Sequence, residues 1–322
     1  MAAPKILEKL LGGIVRIHKI SVPLTLTLIF TFNTTLGAVL IQNYYYKFKI
    51  RELIAYKEAL DGQGENSPEK IAERLAGDVI PYEGVDTGIK WGDLGKRLVQ
   101  IGAIDEEKFA KAFNSPLDSK EYQSVLNGTN EGTIIINESN SRFVLDVLWA
   151  FGLAQKSVVY NEGYMAEKAD EVKNLASTGG WTLGTKKPME IYNKHDLISL
   201  TDEQHSVVRR IASNIYRPCC NNHTAFPDCN HGMALLGLIE LMVANGYSEE
   251  KIYDLSLKVN AYWFPNQYLT IAHYLETKQN IKWKDADPKM VLNKSYSSGS
   301  GFKNIQAQVE GLPAQGGGSC GA

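Results

Sequence analysis

The sequence is poor in cysteine and has no excess of either charge. It contains 4 cysteines in 322 residues, too few for the disulfide-dense scaffold of a small secreted domain. Because 34 Lys and Arg face 36 Asp and Glu, no basic surplus points to a nucleic-acid partner. Hydrophobic residues make up 44% of the chain and charged residues 22%. This ordinary globular composition excludes a mainly disordered chain and a polytopic membrane protein.

Charged residues are absent between Lys19 and Lys47. The apolar part of this gap runs from Ile20 to Ile41 and would span about 33 Å as a helix, enough for a bilayer core of about 30 Å. The sequence therefore predicts a single transmembrane anchor, with a cleaved signal peptide and a buried core helix as the alternatives. Since such an anchor usually exports the domain that follows it, we expect the soluble part on the extracytoplasmic side. The membrane and other membrane or extracytoplasmic proteins are then the expected partners.

Changes in composition divide the chain into five segments. An amphipathic segment and the anchor occupy residues 1–46, and a charged stalk occupies 47–66. Residues 67–199 read as a mostly helical domain to which the sequence gives no role. A helical module rich in Cys and His follows at 200–277, and an extension with a flexible, Gly-rich tail at 278–322.

Helix signals dominate the pattern of the soluble part. Thr201 and Gln204 form a capping box, Ser248 precedes two acids, and Pro265 can begin a further helix. The short run Ile134–Ile136 is the one convincing strand, and residues 158–160 are its predicted partner. The predicted fold is mainly α, with a single N-terminal transmembrane helix followed by a helical domain that contains at most a short two-stranded β element.

The unusual chemistry of the chain is concentrated in one short stretch. Three of the 4 cysteines and two of the 6 histidines form the motif Cys219-Cys220-x2-His223-x5-Cys229-x-His231. Thiolates and imidazoles together suit Zn²⁺, Cu⁺ or Fe. The pairs Cys220/His223 and Cys229/His231 can supply four ligands to one tetrahedral ion, which leaves Cys219 as a further ligand or a spare thiol.

Two other interpretations of the same cysteines stay open. Cys229 precedes an apolar helix, and a helix N-terminus lowers the pKa of a thiol. Cys219 or Cys220 can then form a reversible disulfide with Cys229, and Cys320 in the Gly-rich tail can act as a resolving thiol. The alternative is a plain structural disulfide that clamps the loop.

Three further features have two interpretations each. Asp228 can orient a ligand histidine or cap the following helix. Glu240, in an otherwise apolar helix, faces either the site or solvent. The glycines at 179, 180 and 184 neither follow a strand nor open a clear helix, so no phosphate loop and no nucleotide are expected.

Residues 211–270 place a Cys-rich turn before an apolar helix, then "NGYSEEKIYDLSLK" and an aromatic segment ending in "YWFP". This order resembles the small three-helix thiol domains of the bacterial cytochrome c maturation apparatus. It also resembles the bacterial exported proteins named for a Pro-Cys-Tyr-Cys-Gly-Cys motif. The chain departs from them because adjacent cysteines replace Cys-x-x-Cys and because His223, Cys229 and His231 are additional. The resemblance implies an extracytoplasmic, membrane-tethered helical module with a thiol or metal centre.

Two functional hypotheses follow from these observations. In the first, the chain is a membrane-anchored, extracytoplasmic metal-binding or thiol-redox protein that uses the Cys/His motif. In the second, it is a non-enzymatic accessory or scaffold subunit of a membrane complex, and its cysteines form a structural disulfide.

Overall fold

A computed structural model describes residues 47, 49–53, 67–113, 120–309 and 311–312. The chain divides into two units, with the boundary in the sequence between Glu65 and Asn66. In the first unit the described residues are helical and exposed. The second unit contains the hydrophobic core and the Cys/His motif.

The second unit is mainly helical. Its longer elements are α1 (Pro68–Val79), β1 (Val85–Gly92), α2 (Leu94–Gln100), α3 (Glu106–Ala112), α4 (Lys120–Leu126), β2 (Asn130–Ile136), α5 (Ser141–Ala154), α9 (Asp202–Ala212), α10 (Asn230–Ala244), α11 (Glu249–Trp263), α12 (Pro265–Gln279) and α15 (Gly299–Gln306). Single-turn helices connect them: α6 (Val158–Asn161), α7 (Gly163–Glu167), α8 (Pro188–Ile191), α13 (Pro288–Val291) and α14 (Lys294–Ser297), with 3-10 turns at Val172–Asn174 and Trp283–Asp285.

The helix starts predicted in the C-terminal module are confirmed. The Thr201 hydroxyl accepts the backbone N–H of Gln204, and the Gln204 side chain accepts the backbone N–H of Thr201, so the predicted capping box begins α9. Ser248 caps α11, and Pro265 is the first residue of α12. These starts could be predicted because each depends on a few adjacent residues.

The two-stranded sheet pairs β1 with β2 in antiparallel register, with Val85 opposite Ile136 and Lys90 opposite Thr133. The predicted partner of Ile134–Ile136 was wrong. Residues 158–161 form α6, because the Ser157 hydroxyl accepts the N–H of Val159 and starts a helical turn. Residues of β1 alternate between buried and exposed. The sequence did not reveal this alternation, because glycines interrupt the strand, and one of them, Gly88, has a φ of +73°.

The predicted fold class is wrong in its membrane-spanning part. No helix in the described part of the chain has both the length and the apolar composition needed to cross a bilayer. The longest of these helices have 15 residues, or about 22 Å of axial length, against a bilayer core of about 30 Å. Their apolar faces pack instead into the protein core. The predicted anchor, Ile20–Ile41, lies outside the described residues.

Two glycines allow α5 and α10 to cross closely at the centre of the core. A Cβ on Gly152 would lie 2.3 Å from the carbonyl oxygen of Met233, and one on Gly237 would lie 3.0 Å from that of Leu148. Every residue of α5 from Phe143 to Ala154 is buried. Since α5 lies before residue 200 and α10 after it, the two parts of the chain share one hydrophobic core.

Gly152→Ala should therefore destabilise the protein by about 1–3 kcal/mol or more, because the added methyl group meets a backbone carbonyl that cannot rotate away. Chemical denaturation followed by circular dichroism measures this. Gly77→Ala is the matched control, since a Cβ at this exposed position of α1 has nothing within 4 Å. It should stabilise the protein by about 1 kcal/mol. Equal effects of the two substitutions would show that α5 and α10 do not cross at Gly152.

Two acids are buried in this core rather than exposed. Glu240 in α10 is 0% exposed and lies near Tyr160, and Asp146 in α5 is also 0% exposed. Burial raises the pKa of Glu240 to about 8, an effect that the Ser157 hydroxyl offsets only in part. Burial likewise raises the pKa of Asp146 to about 7. Glu240 therefore does not face solvent.

Glu240 should make stability depend on pH. Because the unfolded side chain loses its proton near pH 4.5 and the folded one near pH 8, the native state binds more protons between these values. The free energy of unfolding should fall by several kcal/mol as pH rises through this window. Glu240→Gln should remove much of this slope, whereas Glu73→Gln, at an exposed position of α1, should not. Parallel pH profiles for wild type and Glu240→Gln would contradict the assignment.

Candidate functional site

The Cys/His motif lies in the loop between α9 and α10. Thr224 donates its backbone N–H and its hydroxyl to the Ile215 carbonyl, at 2.8 and 2.9 Å. Tyr216 and His223 form an antiparallel bridge, and Tyr216 also donates its N–H to the Leu292 carbonyl at 2.8 Å. The loop is therefore folded back on itself, and Cys219 and Cys220 belong to the turn between Tyr216 and His223.

A fully buried arginine holds the loop from inside. Arg217 is 0% exposed, and its Nη2 donates to Asp228 Oδ1 at 2.7 Å and to the Phe226 carbonyl at 3.3 Å. Its Nη1 donates to the Asn222 carbonyl at 3.1 Å, and its Nε donates to the Cys229 sulfur at 3.1 Å. One guanidinium thus bonds to four loop residues between Asn222 and Cys229.

Cys229 occupies the N-cap position of α10. Its sulfur accepts the backbone N–H of Gly232 at 3.4 Å in addition to the Arg217 bond. Gly232 is needed here, because a Cβ at this position would lie 2.4 Å from the Arg217 guanidinium. The sulfur of Cys229 therefore faces two N–H donors, one of them charged, at the positive end of a helix dipole.

Three of the predicted ligands come together. The Cys219 and Cys229 sulfurs are 3.5 Å apart, and one ring nitrogen of His231 joins them in a group whose donor atoms all lie within 4.8 Å. His231 is 2% exposed, and its ring packs on Phe264 at a centroid distance of 4.4 Å. Its Nδ1 is buried and has no hydrogen-bond partner among the described residues. All three described cysteines are free thiols.

The other predicted residues lie differently. Cys220 directs its sulfur to Asp228 Oδ1 at 3.5 Å and belongs to a second group with Asp228 and Cys229. The two oxygens of Asp228 accept hydrogen bonds from Arg217 and Asn222. This carboxylate therefore stabilises the loop and does not orient a histidine. His223 belongs to neither donor group found in the described residues and lies edge-on to the Tyr216 ring. Cys320 lies outside the described residues.

The surroundings shift the pKa values of Cys219 and Cys229 in opposite directions. Hydrogen bonds from Cys219 and Cys220, together with the nearby Arg217 charge, hold the pKa of Cys229 well below its ordinary value. The pKa of Cys219 is raised, chiefly by its hydrogen bonds to Cys220 and Cys229. Burial and the Arg217 charge lower the pKa of His223. The surroundings therefore favour the thiolate form of Cys229 over that of Cys219, and they favour the neutral form of His223.

Sequence reasoning missed Arg217 and the aromatic residues that hold His231. Arg217 immediately precedes the Pro-Cys-Cys run, and a lone arginine beside several soft ligands was the only available signal. Phe264 was visible in the "YWFP" segment, but its contact with His231 spans more than 30 positions of the chain and is set by tertiary packing.

Comparisons with protein families, with curated proteins and with solved structures give no match for the chain. The resemblance to bacterial thiol domains stays a prediction. The chemistry of the site therefore follows from its own donors, distances and charges.

Arg217→Met should raise the pKa of Cys229, because the charged donor to its sulfur is lost. It should also destabilise the protein by about 3–5 kcal/mol, because Asp228 loses its buried partner. The ultraviolet absorbance of the thiolate measures the pKa in a chain whose other cysteines are replaced by serine. Arg209→Met, at an exposed position of α9, is the control. An unchanged thiolate titration in folded Arg217→Met would show that the guanidinium does not act on Cys229.

Proposed function

We propose that the protein binds one soft metal ion between Cys219, Cys229 and His231. The observation that supports this most directly is the approach of two sulfurs and one imidazole nitrogen to within 4.8 Å of one another. Donors bound to one tetrahedral ion at about 2.0–2.3 Å are themselves separated by roughly 3.5–4 Å. A small movement of these side chains is therefore enough to form the metal site.

The donor set favours particular ions. Zn²⁺, Cu⁺ and Fe all accept thiolate and imidazole ligands. Three protein ligands leave the fourth position of a tetrahedral Zn²⁺ open, as in catalytic rather than structural zinc sites. Soft thiolate ligands also suit Cu⁺. We therefore infer Zn²⁺ or Cu⁺ as the resident ion, ahead of iron.

Charge balance also supports a cation at this place. Arg217 and Asp228 form an ion pair and compensate each other, with N–O at 2.7 Å. Metal binding would deprotonate both Cys219 and Cys229, and two thiolates in a partly buried site need a cation to compensate them. Zn²⁺ neutralises both thiolates, whereas Cu⁺ leaves one negative charge, so charge balance favours Zn²⁺ of the two ions.

The position of His231 supports the same proposal. Trp263 and Phe264 pack against its ring, with centroid distances of 5.9 and 4.4 Å, and so limit its rotation. A rotationally restricted imidazole next to two thiols is typical of a preformed ligand set.

The purified, reduced protein should bind about one Zn²⁺ or Cu⁺ per chain, as measured by inductively coupled plasma mass spectrometry after dialysis. Cys229→Ser and His231→Ala should weaken binding by more than the roughly 10–100-fold that is typical of losing an indirect contact. Cys220→Ser is the matched control, because it removes the adjacent thiol without removing a proposed ligand, and should retain the ion.

Two results would contradict the proposal. One is a reduced, folded protein that takes up no ion. The other is a Cys220→Ser variant that loses the ion while Cys229→Ser keeps it. A protein purified with a Cys219–Cys229 disulfide that resists reduction would instead favour the scaffold hypothesis, in which the cysteines are structural.

A further inference from the structure

We propose that Cys219 and Cys229 also form a reversible disulfide, and that its formation releases the metal ion. This regulation rests on the metal site proposed above. The same two sulfurs would serve as ligands when reduced and as a covalent pair when oxidised, so that the ion is bound only in the reduced state.

The geometry of the pair supports this second state. The two sulfurs are 3.5 Å apart, and a disulfide bond of about 2.05 Å needs them to approach by only about 1.5 Å. Cys219 is exposed on the loop, whereas Arg217 and Gly232 hold the Cys229 sulfur. Only Cys219 therefore has to move, and it lies on the more accessible side of the pair.

The structure also selects Cys219 over its neighbour Cys220. The Cys220 carbonyl accepts the N–H of Gly299 at 2.7 Å, and the next residue, Asn221, accepts the N–H of Ser300 at 2.8 Å. These bonds attach this part of the loop to the N-terminus of α15. The Cys220 sulfur lies within 4.8 Å of the Cys229 sulfur but donates to Asp228 and to the Asn222 carbonyl, whereas the Cys219 sulfur is in contact with the Cys229 sulfur at 3.5 Å.

Hydrogen peroxide, or another small hydroperoxide, is the oxidant class that fits a half-buried sulfur. The Cys229 sulfur attacks the peroxide, so that an S–O bond forms, the O–O bond breaks, and the leaving hydroxide takes a proton to become water. The Cys219 sulfur then displaces the sulfenic oxygen, which leaves as a second water with a proton from the Cys219 thiol, or from solvent when Cys219 was bound to the ion as a thiolate. Two thiols and one peroxide give one disulfide and two waters, and a dithiol reductant reverses the change.

The local donors assign the two roles. Arg217 Nε and the Gly232 N–H both point at the Cys229 sulfur, and such donors orient and stabilise an attacking sulfur. Cys219 is the partner that resolves the sulfenic acid because it is within contact distance and exposed. After oxidation, His231 is the only ligand left of the three, and one imidazole does not retain Zn²⁺ against a chelator.

The test uses the full-length chain with Cys320→Ser, so that the thiol in the tail does not take part. The Zn²⁺-loaded protein is titrated with hydrogen peroxide in the presence of a chromogenic zinc chelator. Peptide mapping by mass spectrometry then locates the disulfide. We expect one Zn²⁺ released for each Cys219–Cys229 disulfide formed, and recovery of binding after reduction with dithiothreitol. The Cys220→Ser variant should behave in the same way.

The outcomes separate this inference from the metal site itself. A protein that keeps its Zn²⁺ while a Cys219–Cys229 disulfide accumulates would overturn the regulation and leave the metal proposal in place. A disulfide that joins Cys220 to Cys229 would overturn the assignment of Cys219 as partner. A reduced protein that binds no Zn²⁺ at all would overturn the metal site, and the regulation with it.

Discussion

The buried guanidinium of Arg217 is the interaction on which the cysteine loop depends. It bonds to the Cys229 sulfur, the Asp228 carboxylate and two loop carbonyls, while none of its own surface reaches solvent. A charge this deep is stable only if it is paired and hydrogen-bonded. The loop satisfies this charge with four hydrogen bonds, and this arrangement places the Cys229 sulfur at the start of α10.

The helical core fixes the position of the helix that follows this loop. The close crossing of α5 and α10 at Gly152 fixes the helix that carries Cys229 and His231. The last helix, α15, contacts the loop from the other side through the Cys220 carbonyl. Ligands from adjacent positions of the chain are thus held by elements that lie far apart in sequence, which is what a preformed site requires.

Local signals in the sequence were sufficient for part of this picture. The helix starts at Thr201 and Ser248, and the presence of a short strand at Ile134–Ile136, could be predicted because caps and short apolar runs are properties of a few neighbouring residues. The partner of that strand could not, because β1 is interrupted by glycines and lies about 45 residues away. The membrane-spanning part of the predicted fold class finds no support among the described helices.

The candidate site divides in the same way. The motif showed which donors were available, and the structure shows which of them meet. Cys219, Cys229 and His231 converge, whereas His223 is held at the Tyr216 edge. Sequence spacing had paired Cys220 with His223 as ligands. It could not show that Cys220 contacts Asp228 or that His223 packs against Tyr216.

X-ray absorption spectroscopy of the Zn²⁺-loaded, reduced protein is the most direct measurement of the central claim. Two sulfur scatterers at about 2.3 Å and at least one imidazole nitrogen at about 2.0–2.1 Å should surround the ion, and Cys229→Ser should remove one sulfur from that shell. A shell built only of oxygen and nitrogen, or one that Cys229→Ser leaves unchanged, would contradict the assignment of Cys219, Cys229 and His231 as the metal site.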